Sequence, residues 1–114
     1  MDKKALVANF SQELRRGTLI LCVLANLKES TYGYNLIEKL SKTGISIEAN
    51  TLYPLLRRLE GQELLASEWN TEGTKPRKYY ILTDFGKEVL GELKENWQNS
   101  VQSMNKILEE LDHE

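Results

Sequence analysis

A chain of 114 residues with 40% hydrophobic and 28% charged side chains has the size of one domain with a single modest core, and its balance is that of a folded protein. Its longest apolar run, Leu19 to Ala25, falls far short of the roughly 20 residues that span a bilayer, and no secretory leader pattern precedes it, so a cytoplasmic protein without membrane contact is expected. The formal charge of -2 hides a division: residues 1–83 carry 12 Lys+Arg against 9 Asp+Glu, and residues 84–114 carry 3 against 8. A basic unit followed by an acidic one suits a module that faces phosphate joined to one that faces away from it.

From Ala5 to about Leu27, the residues Leu6, Phe10, Leu14, Leu21, Leu24 and Leu27 recur at helical spacing with Gly17 as a break, which predicts one or two consecutive helices. Thr31 is a candidate N-cap for a second helical segment through Tyr34, Ile37 and Leu40, stopped by Gly44. In the third, Leu52, Leu55, Leu56 and Leu59 form an i, i+3, i+4, i+7 pattern closed by Gly61. Pro54 is tolerated only near a helix start, which places the cap at Asn50 or Thr51.

Leu64 to Asn70 and Lys78 to Thr83 are rich in β-compatible residues and flank a polar stretch, Thr71 to Arg77, so they are read as a hairpin. Thr83 then caps a final helix, although the position three residues on is Gly86 rather than the Glu or Gln of a capping box. In that helix Phe85, Val89, Leu93, Trp97, Val101, Met104, Leu108 and Leu111 make one apolar stripe. At ~1.5 Å per residue the helix outruns the core of so small a domain. Its heptad-like part is too short for an independent coiled coil, so pairing with the same helix of a second copy is expected, together with the N-terminal helix.

The expected fold is therefore mainly α with a small β-hairpin: a winged helix-turn-helix over residues 1–83 and a long dimerisation helix over residues 84–114. Three helices followed by a hairpin place the third helix in the major groove of DNA and the hairpin against the flanking backbone. Opposite its leucines the third helix offers Asn50, Thr51, Tyr53, Arg57 and Arg58, a mixture of base-edge readers and phosphate ligands. Lys75, Arg77 and Lys78 put positive charge at the hairpin tip. Each has a plainer reading: Asn50 as a cap, Tyr53 packed on a neighbour, the arginines and lysines as solvated charge. What favours DNA is the coincidence of both basic clusters at the two places from which this architecture would touch one duplex.

Catalysis is not expected. The one histidine, His113, is next to the C-terminus, there is no Gly-rich phosphate loop, and no grouping of residues calls for a metal or cofactor. The lone Cys22 sits in an apolar run and is read as a structural thiol. The rival to DNA binding is a winged-helix module for protein contacts, since the fold alone does not fix function.

Three segments, Tyr32-Gly33-Tyr34, Asn50 through Glu60 (NTLYPLLRRLE) and Arg77 through Thr83 (RKYYILT), resemble the PadR family of transcriptional regulators across residues 14 to 112. The short single C-terminal helix is similar to the compact subclass that includes multidrug-sensing repressors. The resemblance implies a homodimer that represses a neighbouring gene and is released by a small hydrophobic or aromatic effector. It adds Tyr32 and Tyr34 to the expected DNA-binding residues. Asn50 stands where many relatives carry Gly or Ala. Trp97 matches a tryptophan that, in the multidrug-sensing relatives, faces its symmetry mate across a pore and sandwiches flat aromatic compounds. By the same similarity Leu14, Thr18, Cys22, Leu93 and Val101 line that space, the alternative being a filled dimer core.

Overall fold

The computed structural model describes residues 1–113. Among them the elements run α1 (Lys3–Arg16), α2 (Leu19–Ala25), β1 (Thr31–Tyr32), α3 (Gly33–Lys42), α4 (Ala49–Gly61), β2 (Leu65–Asn70), β3 (Arg77–Leu82) and α5 (Asp84–Asp112). The N-terminal segment is thus two helices. Asp2 caps the first, accepting from the Lys4 amide at 3.0 Å, and Gly17 ends it. The seven residues of α2 are the apolar run itself, with Val23 and Leu24 fully buried. No described helix is long and apolar enough to cross a membrane.

Thr31 is not a cap. Together with Tyr32 it forms a short third strand, Thr31 opposite Tyr80 and Tyr32 opposite Tyr79, giving an antiparallel sheet of order β1-β3-β2. Two residues between a loop and a helix carry no alternation to announce a strand; pairing with β3 creates it. Thr31 is buried, and its hydroxyl accepts from the Asn35 side chain. Tyr32 becomes the N-cap of α3 without a side-chain cap bond. The stop at Gly44 is as expected: its φ of 87° allows a left-handed turn in which Gly44 N–H donates to the Ser41 carbonyl and Ile45 N–H to the Leu40 carbonyl.

α4 begins earlier than its proline suggests. Glu48 is its N-cap, its carbonyl receives the Thr51 and Leu52 amides, and Pro54 lies inside the helix. The helix tolerates it because the acceptor that loses a partner belongs to Asn50, on the solvent side. Nor does Gly61 make the closing turn; it is the last helical residue, and the left-handed position falls on Glu63 at φ 66°. The amides of Glu63 and Leu64 return to the carbonyls of Glu60 and Leu59, closing the same kind of turn as at Gly44 without a glycine.

The core is a leucine cluster from α2 and the turn after it, α3 and α4, with Leu24, Leu27, Leu36, Leu40, Leu52, Leu56 and Leu59 essentially inaccessible. The sheet closes it through Leu65, Tyr80 and Leu82, and α5 adds Leu90. Thr83 does cap α5. Its hydroxyl accepts from Gly86 N–H at 2.9 Å and donates to the Glu63 carbonyl at 2.6 Å. Gly86 stands where a capping box would have its acid because a Cβ there would collide with the Leu64 carbonyl.

The two long helices are barely used by this core. None of the described α1 residues is buried, and in the 29 residues of α5 only Gly86 and Leu90 are. Val7, Phe10 and Leu14 on α1, and Trp97, Met104, Ile107, Leu108 and Leu111 on α5, lie open to solvent. The molecule accordingly extends 61 Å along its long axis and 23 Å along its short one.

Candidate nucleic-acid interface

α4 buries Leu52, Leu56 and Leu59, and the opposite arc is thereby turned to solvent. Asn50, Thr51, Arg57 and Arg58 are all exposed there. Tyr53 is different: it is half-buried, and its ring lies against Gly33 at the start of α3. The structure therefore unites the helix-turn-helix pair at an aromatic contact, as the plainer reading of Tyr53 anticipated.

Between the start of α3, α4 and the hairpin runs an open groove of about 610 Å³ lined by Tyr32, Tyr34, Tyr53, Trp69, Lys75 and Arg77, with Gly33, Pro76 and Lys78 completing it. Tyr34 is exposed on the rim. Arg77 lies 4.4 Å above the Tyr32 ring, which meets Tyr79 edge-on with centroids 5.3 Å apart. That stack holds the guanidinium toward the groove without neutralising it. Lys75 is fully on the exposed tip, where the Asn70 side chain accepts from the Glu72 amide and turns the chain. Among the described residues, Arg57, Arg58, Lys75 and Arg77 enter no ion pair.

Lys78 departs from the expected pattern. Its ammonium lies 3.3 Å from a carboxylate oxygen of Glu60, whose other oxygen accepts from the Ser67 hydroxyl. The Ser67 bond, joined by the hydrogen bond and charge of Lys78, holds the Glu60 carboxyl below its usual range against the opposing effect of burial. For Lys78, partial burial works against the charge, but Glu60 and the Tyr80 oxygen outweigh it and the ammonium is held above its usual range. Among the described residues it is the one predicted cation that enters an ion pair.

Sequence reasoning left out Trp69, Glu60 and Ser67. Trp69 stands opposite Lys78 in the hairpin register and is 61% exposed in the groove. An exposed tryptophan two residues from a hairpin turn was the available signal. Glu60 and Ser67 gave none, because their meeting depends on how the hairpin folds back over α4.

The model of the PadR-like transcriptional regulator family matches residues 20–92, which spans α2 through the first turns of α5. The chain belongs to that family. A PadR family regulator from Eggerthella lenta DSM 2243, known from its crystal structure, is 52% identical, with a TM-score of 0.88 over 92% of this chain and 94% of that one. A PadR-like regulator from Bacillus cereus is 33% identical, with a TM-score of 0.76 over 84% of this chain and 96% of that one. A transcriptional regulator of Mycobacterium tuberculosis is 33% identical over 82 residues, 71% of this chain and 77% of the relative. The PadR match makes the protein a transcriptional regulator and not an enzyme, and the groove and α4 arc lie on the winged-helix part of it.

In this PadR-family chain the residues around Trp97 form a second, smaller groove of about 230 Å³, between the α1–α2 junction and α5. Thr18, Leu93 and Trp97 line it with Ile20, Leu21, Asn96 and Ser100. Leu14, Cys22 and Val101 are not among its walls within one subunit. Leu14 is 77% exposed a turn earlier, and Cys22 packs half-buried against the core, where Leu21 takes the lining position.

Proposed function

We propose that this regulator is a cytoplasmic, sequence-specific DNA-binding repressor that acts as a homodimer on an operator beside its own gene. The observation that supports it most is the set of exposed cations without an ion-pair partner, among the described residues, on the two elements that would touch a duplex. Arg77, stacked on Tyr32, and Lys75 at the wing tip line one aromatic groove. Arg57 and Arg58 are exposed on α4, whose Tyr53 lines the same groove, and residues 84–114 are net acidic. α4 would enter the major groove with Asn50 and Thr51 toward base edges, and the wing would follow the backbone, with Tyr32, Tyr34 and Tyr53 between them. The apolar faces of α1 and α5 that the single chain leaves open would pair two copies and present two reading heads to one duplex.

Release by a small planar aromatic effector at the dimer interface is the finer part of the proposal. The groove at Trp97 supports it: an indole 45% exposed beside Thr18 and Leu93 offers a stacking face that demands no directional hydrogen bond. A ligand there would alter the angle between paired α5 helices and hence the spacing of the two heads.

The deciding experiment is an anisotropy titration of labelled duplexes tiling the upstream region, run at two salt concentrations beside sedimentation. A dimer whose affinity for one duplex falls steeply with salt through counterion release is expected. Salt-insensitive binding, or a stable monomer at working concentrations, would leave a protein-contact module as the better description. Planar aromatic dyes should quench the indole emission in wild type and lose affinity in Trp97→Ala; equal affinity in the two removes the effector site.

A further inference from the structure

Glu60 reaches from α4 to the wing. It stands in the last turn of α4, where its backbone carbonyl accepts the Glu63 amide of the closing turn. Its carboxylate spends one oxygen on Ser67 of β2 and the other on Lys78 of β3. Ser67 and Lys78 lie on the same sheet face, opposite Tyr80 and Trp69 respectively. One side chain thus fastens the end of α4 to both strands of the hairpin, and its partner Lys78 belongs to the wall of the groove that Trp69, Tyr53 and Arg77 line. A negative charge that takes up a cation of the groove wall costs phosphate affinity by simple Coulomb repulsion, so its pairing with Lys78 asks for a mechanical role.

We infer that Glu60 is a positioning residue for duplex binding: it braces the wing at a fixed angle to α4, and Lys78 serves this brace rather than a phosphate. The base of the hairpin is anchored by Leu65, Tyr80 and Leu82 in the core and by β1 opposite Tyr79 and Tyr80. Beyond Tyr79 it reaches past the third strand toward an exposed tip, and there its ties to the rest of the domain include the Glu60–Lys78 pair and the stack of Arg77 on Tyr32. Both partners are held in their charged forms across neutral pH by the contacts described above, and a bridge partly shielded from water is screened less by salt than an open one. With the brace intact, Arg77 and Lys75 meet the backbone at the same time as α4 meets the bases; without it, they must be brought into place at binding, at an entropic cost. This inference rests on the DNA-binding reading, and its test separates the two.

The full chain is compared with Glu60→Gln, Lys78→Met, the double variant and the charge swap Glu60→Lys/Lys78→Glu, using a labelled duplex from the upstream region. Although Glu60→Gln removes a negative charge, it should weaken binding about fivefold, as loss of a charge-assisted hydrogen bond and ion pair would. Lys78→Met should do the same at an unchanged slope of log affinity against log salt, the double variant should be no worse than either single, and the swap should regain part of the loss. In the free protein, amide exchange across β2 and β3 near Trp69 and Lys78 should quicken in Glu60→Gln while the melting temperature stays close to wild type. Tighter binding by Glu60→Gln, a salt slope reduced by about 0.9 in Lys78→Met, or unaltered wing exchange would each overturn the brace. A wild-type chain that binds no duplex would instead sink the DNA reading, and the exchange measurement would still decide whether Glu60 holds the wing.

Discussion

The ring of Tyr53 rests on the backbone of Gly33, so closely that a Cβ built on Gly33 would stand 2.6 Å from ring carbon Cε1 and 2.8 Å from the phenol oxygen. The contact joins the first residue of α3 to the exposed-side edge of α4, and it fixes where the tyrosine sits at the groove.

Gly33→Ala should therefore displace Tyr53 rather than unfold the domain, since what stands in the way is the far end of a side chain that can swing outward. Duplex affinity is expected to fall about tenfold, or ~1.4 kcal/mol, the scale of one lost contact. The melting temperature should move by only a few degrees. Anisotropy and thermal melts on the same preparation check this, and an unaltered affinity would take Tyr53 out of the interface.

Gly86 poses the opposite case. The obstacle to a side chain there is the Leu64 carbonyl, held in the turn that Thr83 closes through the Leu64 and Glu63 carbonyls. Backbone cannot step aside cheaply, so Gly86→Ala should cost at least ~2 kcal/mol and lower the melting temperature by roughly 10 °C. Thermal unfolding followed by circular dichroism would show it, and a melting point within a degree or two of wild type would contradict the geometry.

Glu63 holds a left-handed backbone without glycine's freedom, a conformation that costs an L-residue about 1 kcal/mol or more. Its carbonyl, which serves Thr83, survives any substitution. Glu63→Gly should thus stabilise the protein, by ~0.5–1 kcal/mol and a few degrees in melting temperature, once the looser unfolded chain is counted against the relieved strain. A lowered melting temperature would mean that the Glu63 side chain contributes more than its conformation costs.

The Glu60–Lys78 pair gives stability a defined pH dependence. The Glu60 carboxyl titrates below its ordinary value of 4.5, so its contribution is present above that value and is lost as pH falls through the depressed one. The Lys78 ammonium titrates above its ordinary 10.5, so its share is present below that and fades only in stronger alkali. Between them the contribution should be flat and, for groups about one-third exposed, under ~1 kcal/mol. Melting temperature should fall more steeply in wild type than in Glu60→Gln between about pH 5 and pH 3; parallel curves would exclude the pair as a source of stability.

How much of this was readable beforehand follows from which forces are local. The leucine spacing of α4, the apolar stripe of α5, the break at Gly17 and the Thr83 cap depend on residues within a few positions of one another, and each appears where the sequence puts it. Thr31 could not be read as a strand because its partner, Tyr80, is 49 positions away. Pro54 misled because its penalty depends on whether the orphaned carbonyl meets water, which is a property of the face and not of the sequence window. At the candidate interface the exposed arc of α4 and the wing-tip cations were legible from type and spacing. The commitment of Lys78 to Glu60, and the entry of Trp69 into the groove, arise only when hairpin and helix are folded together.

The unburied flanks of α1 and α5 bear on dosage. Should two copies close over those flanks, the active species would form in proportion to the square of the free chain concentration when the protein is scarce. A cell that halved its supply of the regulator would then lose about three-quarters of the assembled form, and the response of the controlled gene to expression level would be steeper than that of any regulator able to work alone.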